Sequence, residues 1–141
     1  MEQYLVRDAV SGDLAFVIAS WVKTLRGQSH LSLHISDDDL WSGIHDRVHF
    51  LFKDASRKFK VACDNEQPDL ILGWAIVDGE TVLGAYTKKP FRRMGIMRTL
   101  LERSGIDFTK PIRTAMYTKD AASVAKKYRL QFNWMFLLEK N

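Results

Sequence analysis

The chain has 141 residues, 46% of them hydrophobic, with four Trp and eight Phe; one domain with a substantial core is expected, and disorder is excluded. A formal charge of +4 suits an anionic ligand but falls short of the field of a dedicated nucleic-acid binder. The one cysteine, Cys63, cannot form an internal disulfide, no apolar run approaches the ~20 residues of a membrane span, and Met1-Glu2-Gln3-Tyr4-Leu5 lacks a signal-peptide pattern, so a cytoplasmic protein is expected.

Tyr4 to Arg7 reads as a short strand, and Ser11-Gly12-Asp13 supplies turn and cap chemistry ahead of a helix. Leu14, Val17, Ile18, Trp21, Val22 and Leu25 recur at helical spacing, and Gly27 is expected to end that helix. Gln28 to Ile35 is a loop carrying His30 and His34. Ser36 caps a second helix with Asp37, Asp38 and Asp39 in its first turn, where the helix dipole favours acids. Leu40, Trp41, Ile44, Val48, Leu51 and Phe52 form its expected apolar face.

Phe59, Val61 and Cys63 alternate with Lys58, Lys60 and Ala62, which predicts a half-exposed strand. Leu70 to Val77 is almost wholly apolar and reads as a central strand. Asp78-Gly79 is a two-residue hairpin turn, and Thr81 to Thr87 returns as the next strand. A helix is expected from about Phe91 to Arg103, a strand from Ile112 to Tyr117, and a helix capped by Asp120 with Ala121, Val124, Ala125 and Tyr128 on one side. Phe132, Trp134, Phe136 and Leu138 alternate in a closing strand. The fold class is therefore α/β (α+β): a mixed, mostly antiparallel sheet with about four helices packed on it, in one domain over residues 1–141.

The most informative segment is Ala85-Tyr86-Thr87-Lys88-Lys89-Pro90-Phe91-Arg92-Arg93-Met94-Gly95-Ile96-Met97-Arg98. It is a strand, a basic turn, a glycine and the start of a helix. Such a helix N-terminus aims free backbone N–H groups at one point and surrounds them with cations, which suits a phosphate.

This segment resembles the acetyl-CoA signature of the GCN5-related N-acetyltransferases, a strand followed by [Q/R]-x-x-G-x-[G/A] opening a helix. The match is Arg92-x-x-Gly95-x-Met97, with Phe91 at the usual aromatic position and Leu100-Leu101 at the usual apolar pair. Val6-Arg7-Asp8-Ala9 followed by Asp13-Leu14 is similar to that family's first strand and helix cap, and the element order agrees across nearly the whole chain. Short divergent members of the phage and prophage kind are the nearest in type. The resemblance implies acetyl-CoA as cosubstrate, lying in the splay between the strand ending at Thr87 and the strand near Ile112 to Tyr117. Its diphosphate would meet Arg92, Arg93, Met94, Gly95, Ile96, Met97 and Arg98, with Lys88 and Lys89 approaching the same side. Its pantetheine arm would pair with the backbone of Ala85, Tyr86 and Thr87. Met97 departs from the family, which has Gly or Ala there.

Acetyl transfer to an amine requires a neutral amine, a stabilised thioester oxygen and a proton for the departing thiolate. Many relatives draw that proton from a tyrosine in N-x-x-A-x-x-x-Y-x-x-x-G-F. Aligned without gaps, Lys127 occupies the tyrosine position and Tyr128 is its neighbour. One residue turns a helix by ~100°, so the two point differently, and Tyr128 is the better acid of the pair. Some relatives place a glutamate base on the preceding strand, where this chain has Ala115; Asp78 and Glu80 read as turn and surface residues. By the same resemblance His30, His34, Trp41 and His45 would contact the acceptor. His45 and His49, four apart, lack a third metal ligand at a recognisable spacing.

Two classes of function follow. One is an acetyl-CoA-dependent N-acetyltransferase acting on an unidentified primary amine by direct attack. The other is a non-catalytic interaction module of the same fold, to which Met97, Ala115 and Lys127 point. A generic nucleotide-binding domain is a third reading. The aromatic closing strand leaves a homodimer or a protein partner open.

Overall fold

The computed structural model describes residues 3–28, 34–92, 94–115 and 119–133. Six strands form one sheet in the order β1 (Tyr4–Asp8), β2 (Lys58–Asp64), β3 (Ile71–Asp78), β4 (Thr81–Thr87), β5 (Ile112–Thr114) and β6 (Leu130–Phe132). The first three pairings are antiparallel; β4 with β5 and β5 with β6 are parallel. Among the described residues four α-helices accompany the sheet: α1 (Leu14–Gln28), α2 (Asp37–Lys53), α3 (Ile96–Arg103) and α4 (Lys119–Tyr128). The expected mixed, mostly antiparallel sheet with four helices is the observed one.

The sheet is packed on both faces, which explains its sequence. On one face α1 and α2 bury Val17, Ile18, Trp21, Val48 and Leu51 against Phe59, Val61, Trp74, Ile76 and Leu83. On the other, α3 sets Ile96 and Leu100 against Tyr4, Ala62, Leu72 and Ala75. A strand covered on both faces needs apolar residues at every position, and Ile71 to Val77 are all buried. The same two-sided packing corrects the reading of β2 as half-exposed: Ala62 and Cys63 are both fully buried.

Trp74 sits at the centre with no exposure. Its indole Nε1 donates to Ser20 Oγ at 2.8 Å, and its ring lies 5.3 Å from that of Trp21. Gly84 lies under this pair, and a Cβ there would stand 3.0 Å from both rings.

Local signals hold in part. Ser36 accepts from the Asp39 amide as the α2 cap. Asp13 accepts the Val10 amide at 2.8 Å and both guanidinium nitrogens of Arg7, at 2.7 and 3.0 Å. Burial alone would raise the Asp13 pKa; Arg7 and the Val10 amide outweigh it and hold the carboxyl below its ordinary value.

Three boundaries and the exposure of one residue differ from the sequence reading. Helix α1 continues through Gly27 to Gln28, because tertiary packing outweighs one glycine's propensity. The hairpin turn falls on Gly79-Glu80, with Asp78 paired to Thr81 and Gly79 at φ +61°. Trp41 is 45% exposed in the first turns of α2, although Val48, two turns further on along the same side, is fully buried. Lys89–Phe91 forms a 3-10 turn and α3 starts only at Ile96, since Gly95 adopts the left-handed conformation (φ +76°) that ends the turn. Strand β5 is described to Thr114 and β6 to Phe132; Trp134, Phe136 and Leu138 lie outside the described residues, as does His30.

Candidate active site

The site begins with a fault in the sheet. Ile76 pairs with Gly84 and Val77 with Val82, so Leu83 is an extra residue on β4. A bulge bends its strand and sharpens the local twist. Here it acts just beyond the only described pairing of β4 with β5, Thr81 with Arg113 and Val82 with Thr114. A cavity of about 560 Å³ runs along this part of the sheet, lined by Val82, Ala85, Tyr86 and Thr87 of β4 and by Ile112 and Thr114 of β5.

The cavity reaches both faces of the sheet. Thr24 of α1 and Tyr86 line it on one side, while Ile96, Leu101, Phe108 and Tyr128 line it on the other. Its upper end is the turn between β4 and α3. Gly95 has nothing within 4 Å of where a Cβ would stand, so its role is conformational: it holds the φ of +76° that a residue with a side chain resists. The first helical hydrogen bond runs from the Thr99 amide to the Gly95 carbonyl at 3.0 Å. The amides of the first turn of α3 therefore precede the helix's own ladder and face the cavity's upper end.

Of the residues singled out from the sequence, Ala85, Tyr86, Thr87, Arg92, Gly95, Ile96, Met97, Arg98 and Tyr128 all line this one cavity. Met94 does not: it is 45% exposed. Arg93 lies outside the described residues. Arg92 donates through Nε to the Thr87 carbonyl at 3.0 Å, which ties the basic turn to the end of β4. Arg98 pairs with Glu102 at 2.8 Å, and its guanidinium carbon stands 4.4 Å from the centroid of Phe108. Lys88 turns instead toward α1, its ammonium 5.1 Å from the Phe16 ring centroid.

The structure separates Tyr128 from Lys127. Ala121, Val124 and Tyr128 form the side of α4 that walls the cavity, whereas Lys127 is exposed and lays its ammonium 5.2 Å from the Tyr128 ring centroid. Phe108 meets Tyr128 edge to face at 5.6 Å. The apolar residues of α4 thus face a chamber, and Val124 retains 37% exposure there.

Other candidates fall elsewhere. His34, Trp41 and His45 do not line the cavity; Trp41 and His45 are exposed on α2. The His45 and His49 rings are 4.4 Å apart, and His45 Nδ1 lies 3.3 Å from Asp46, with no group of three metal-ligand side chains among the described residues. Asp78 pairs with the buried Arg57 at 3.2 Å and Glu80 lies 3.9 Å from Lys110, so both have structural partners. Ala115 is buried at the end of β5. Cys63 is buried in β2, away from the cavity wall. Thr24, Phe108, Ile112, Thr114 and Leu130 join the wall from four separate elements, and no local sequence pattern marks them.

No protein-family model matches the chain, and no curated protein matches it in sequence. Solved structures do match. A possible acetyltransferase from Clostridium difficile 630 superposes with a TM-score of 0.59 at 16% identity, over 91% of this chain and 89% of that one. The aminoglycoside N-acetyltransferase AAC(6')-Iy, in complex with CoA, gives a TM-score of 0.58 at 10% identity, over 91% and 88%. An acetyltransferase of the GNAT family from Staphylococcus aureus Mu50 gives 0.53 at 14% identity; the match covers 72% of this chain and 63% of that one. At such identities the likeness concerns architecture, and the architecture is plain: this chain has the fold of the GCN5-related N-acetyltransferases.

Proposed function

We propose that the chain transfers an acetyl group from acetyl-CoA to a primary amine by direct attack. The observation that carries this reading is one cavity that runs along β4 and β5 and ends at the Gly95 turn opening α3. The residues present fit the ligand. The unobstructed space beside Gly95 and the first-turn amides of α3 suit a diphosphate, with Arg92 and Arg98 adding charge. Ala85, Tyr86 and Thr87 line the same cavity as the Gly95 turn, where an extended amide-bearing arm can reach them.

Acetyl-CoA supplies the activated thioester. The chain's part is to fix it beside the amine, to exclude water with the apolar walls of α3 and α4, and to hold a proton at the Tyr128 hydroxyl for the leaving sulfur. Positioning of this kind supplies much of a bimolecular barrier reduction. Cys63 is buried away from the cavity, which agrees with direct attack over a covalent intermediate.

Calorimetry with acetyl-CoA, followed by thiol release over an amine panel, tests the reading. Micromolar binding and amine-dependent thiol release are expected. No heat and no thermal shift at millimolar acetyl-CoA would refute it. Met97, which lines the cavity where the family has a small residue, and Ala115 favour a second reading, a non-catalytic module of this fold. That reading predicts CoA binding with no thiol release against any amine.

A further inference from the structure

We infer that the acceptor is a weakly basic aromatic amine, uncharged at neutral pH, which enters from the α1 face and packs on Tyr86. This rests on the transferase reading and names the substrate class of that same site.

Two independent observations bear on the acceptor. The first is aromatic. Tyr86 lines the cavity beside Thr24, and its ring is backed by Trp74, stacked at 6.5 Å and 28°, and by Phe16 at 6.2 Å. A planar ring entering there meets a supported aromatic surface.

The second is charge. The described wall carries no carboxylate, and its two charged side chains, Arg92 and Arg98, stand at the end assigned to the diphosphate. An ammonium entering this space gives up water to apolar walls and meets no counter-charge among the described wall residues. Both effects favour the neutral amine. At the position where relatives carry a base, Ala115 offers no proton acceptor.

The consequence is quantitative. At pH 7 an amine as basic as lysine is about 0.04% neutral and an α-amine roughly 10% neutral, whereas an aryl amine is almost wholly neutral. In the transfer the new N–C bond forms as the C–S bond breaks. The acylated nitrogen of an aryl amine, being strongly acidic, releases its proton to water, and the sulfur takes one from Tyr128. No enzymic base is required.

The test titrates aniline, benzylamine and spermidine against the CoA-saturated protein by NMR at pH 7 and above. Aniline should bind at least tenfold tighter than benzylamine at pH 7. The gap should close by about tenfold per pH unit as benzylamine deprotonates, and spermidine should not bind. Tyr86→Leu should cost aniline about three- to tenfold in affinity. In turnover, the acid limb of kcat/KM should follow the ionisation of the acceptor alone, and the only enzymic limb should be an alkaline one removed by Tyr128→Phe. Benzylamine or spermidine matching aniline at pH 7, an unchanged aniline affinity in Tyr86→Leu, or an acid limb that belongs to the enzyme would overturn the inference. Those results would leave CoA binding intact; absence of CoA binding would instead overturn the transferase reading and this inference with it.

Discussion

The two halves of the sheet are built for different ends. From β1 to β4 the strands are five to eight residues long, antiparallel and sealed by helices on both faces. From β4 to β6 they are parallel, and β5 and β6 span three described residues each. One half holds the fold; the other opens to make a cavity. A single inserted residue, Leu83, marks the border. Stability and binding should therefore respond separately to substitution.

The largest effect is expected in the closed half. Trp74→Ala should cost about 3–5 kcal/mol in denaturant unfolding, since it empties a fully buried site and removes the indole partner of Ser20. In the open half Gly95→Ala should cost about 1–2 kcal/mol of stability, because a Cβ resists a φ of +76°. Its effect on CoA affinity should be larger, at least tenfold by calorimetry, because relaxing that φ redirects the first amides of α3. Equal losses in stability and affinity for both variants would erase the distinction between the halves.

Arg98→Ala sharpens the comparison. Its ion pair with Glu102 is half-exposed and helical, so stability should change by no more than about 0.5 kcal/mol, while CoA affinity falls several-fold. Acid should act on the closed half. The Asp13 carboxyl is held below its ordinary value of 3.8 in the fold, so the unfolded chain takes up the proton first. The stabilisation is complete above that pH and is lost as pH falls through the lower folded-state value. Thermal melts of Asp13→Asn should lack this component of the acid dependence. The smallest effect is Met97→Ala, which should leave stability within a few tenths of a kcal/mol and raise CoA affinity by up to several-fold, by clearing the cavity's upper wall.

How much was legible follows the same division. The closed half is written in local pattern: the apolar run of β3, the Ser36 cap and the helical stripe of α1 each identify their element. What escaped there depends on neighbours. Two-sided burial of β2 is set by α3, and the exposure of Trp41 by how much of the length of α2 the core covers, since Val48 on the same side is buried. In the open half, residues 85 to 98 are contiguous, so one motif brought about half of the described wall into view. The remainder comes from distant segments whose apolar residues look like ordinary core. The same ambiguity hid the orientation of Tyr128 against Lys127, which a one-residue difference in helix phase decides. The Leu83 bulge left no trace in the sequence, because nothing in Thr81 to Thr87 distinguishes a paired residue from an inserted one.

Backbone hydrogen exchange with and without saturating CoA tests the central claim most directly. The account predicts slowed exchange at the amides of Ile96 to Arg98 and along Ala85 to Thr87, with β1 to β3 unchanged. Protection confined to other segments, or none at millimolar CoA, would contradict it.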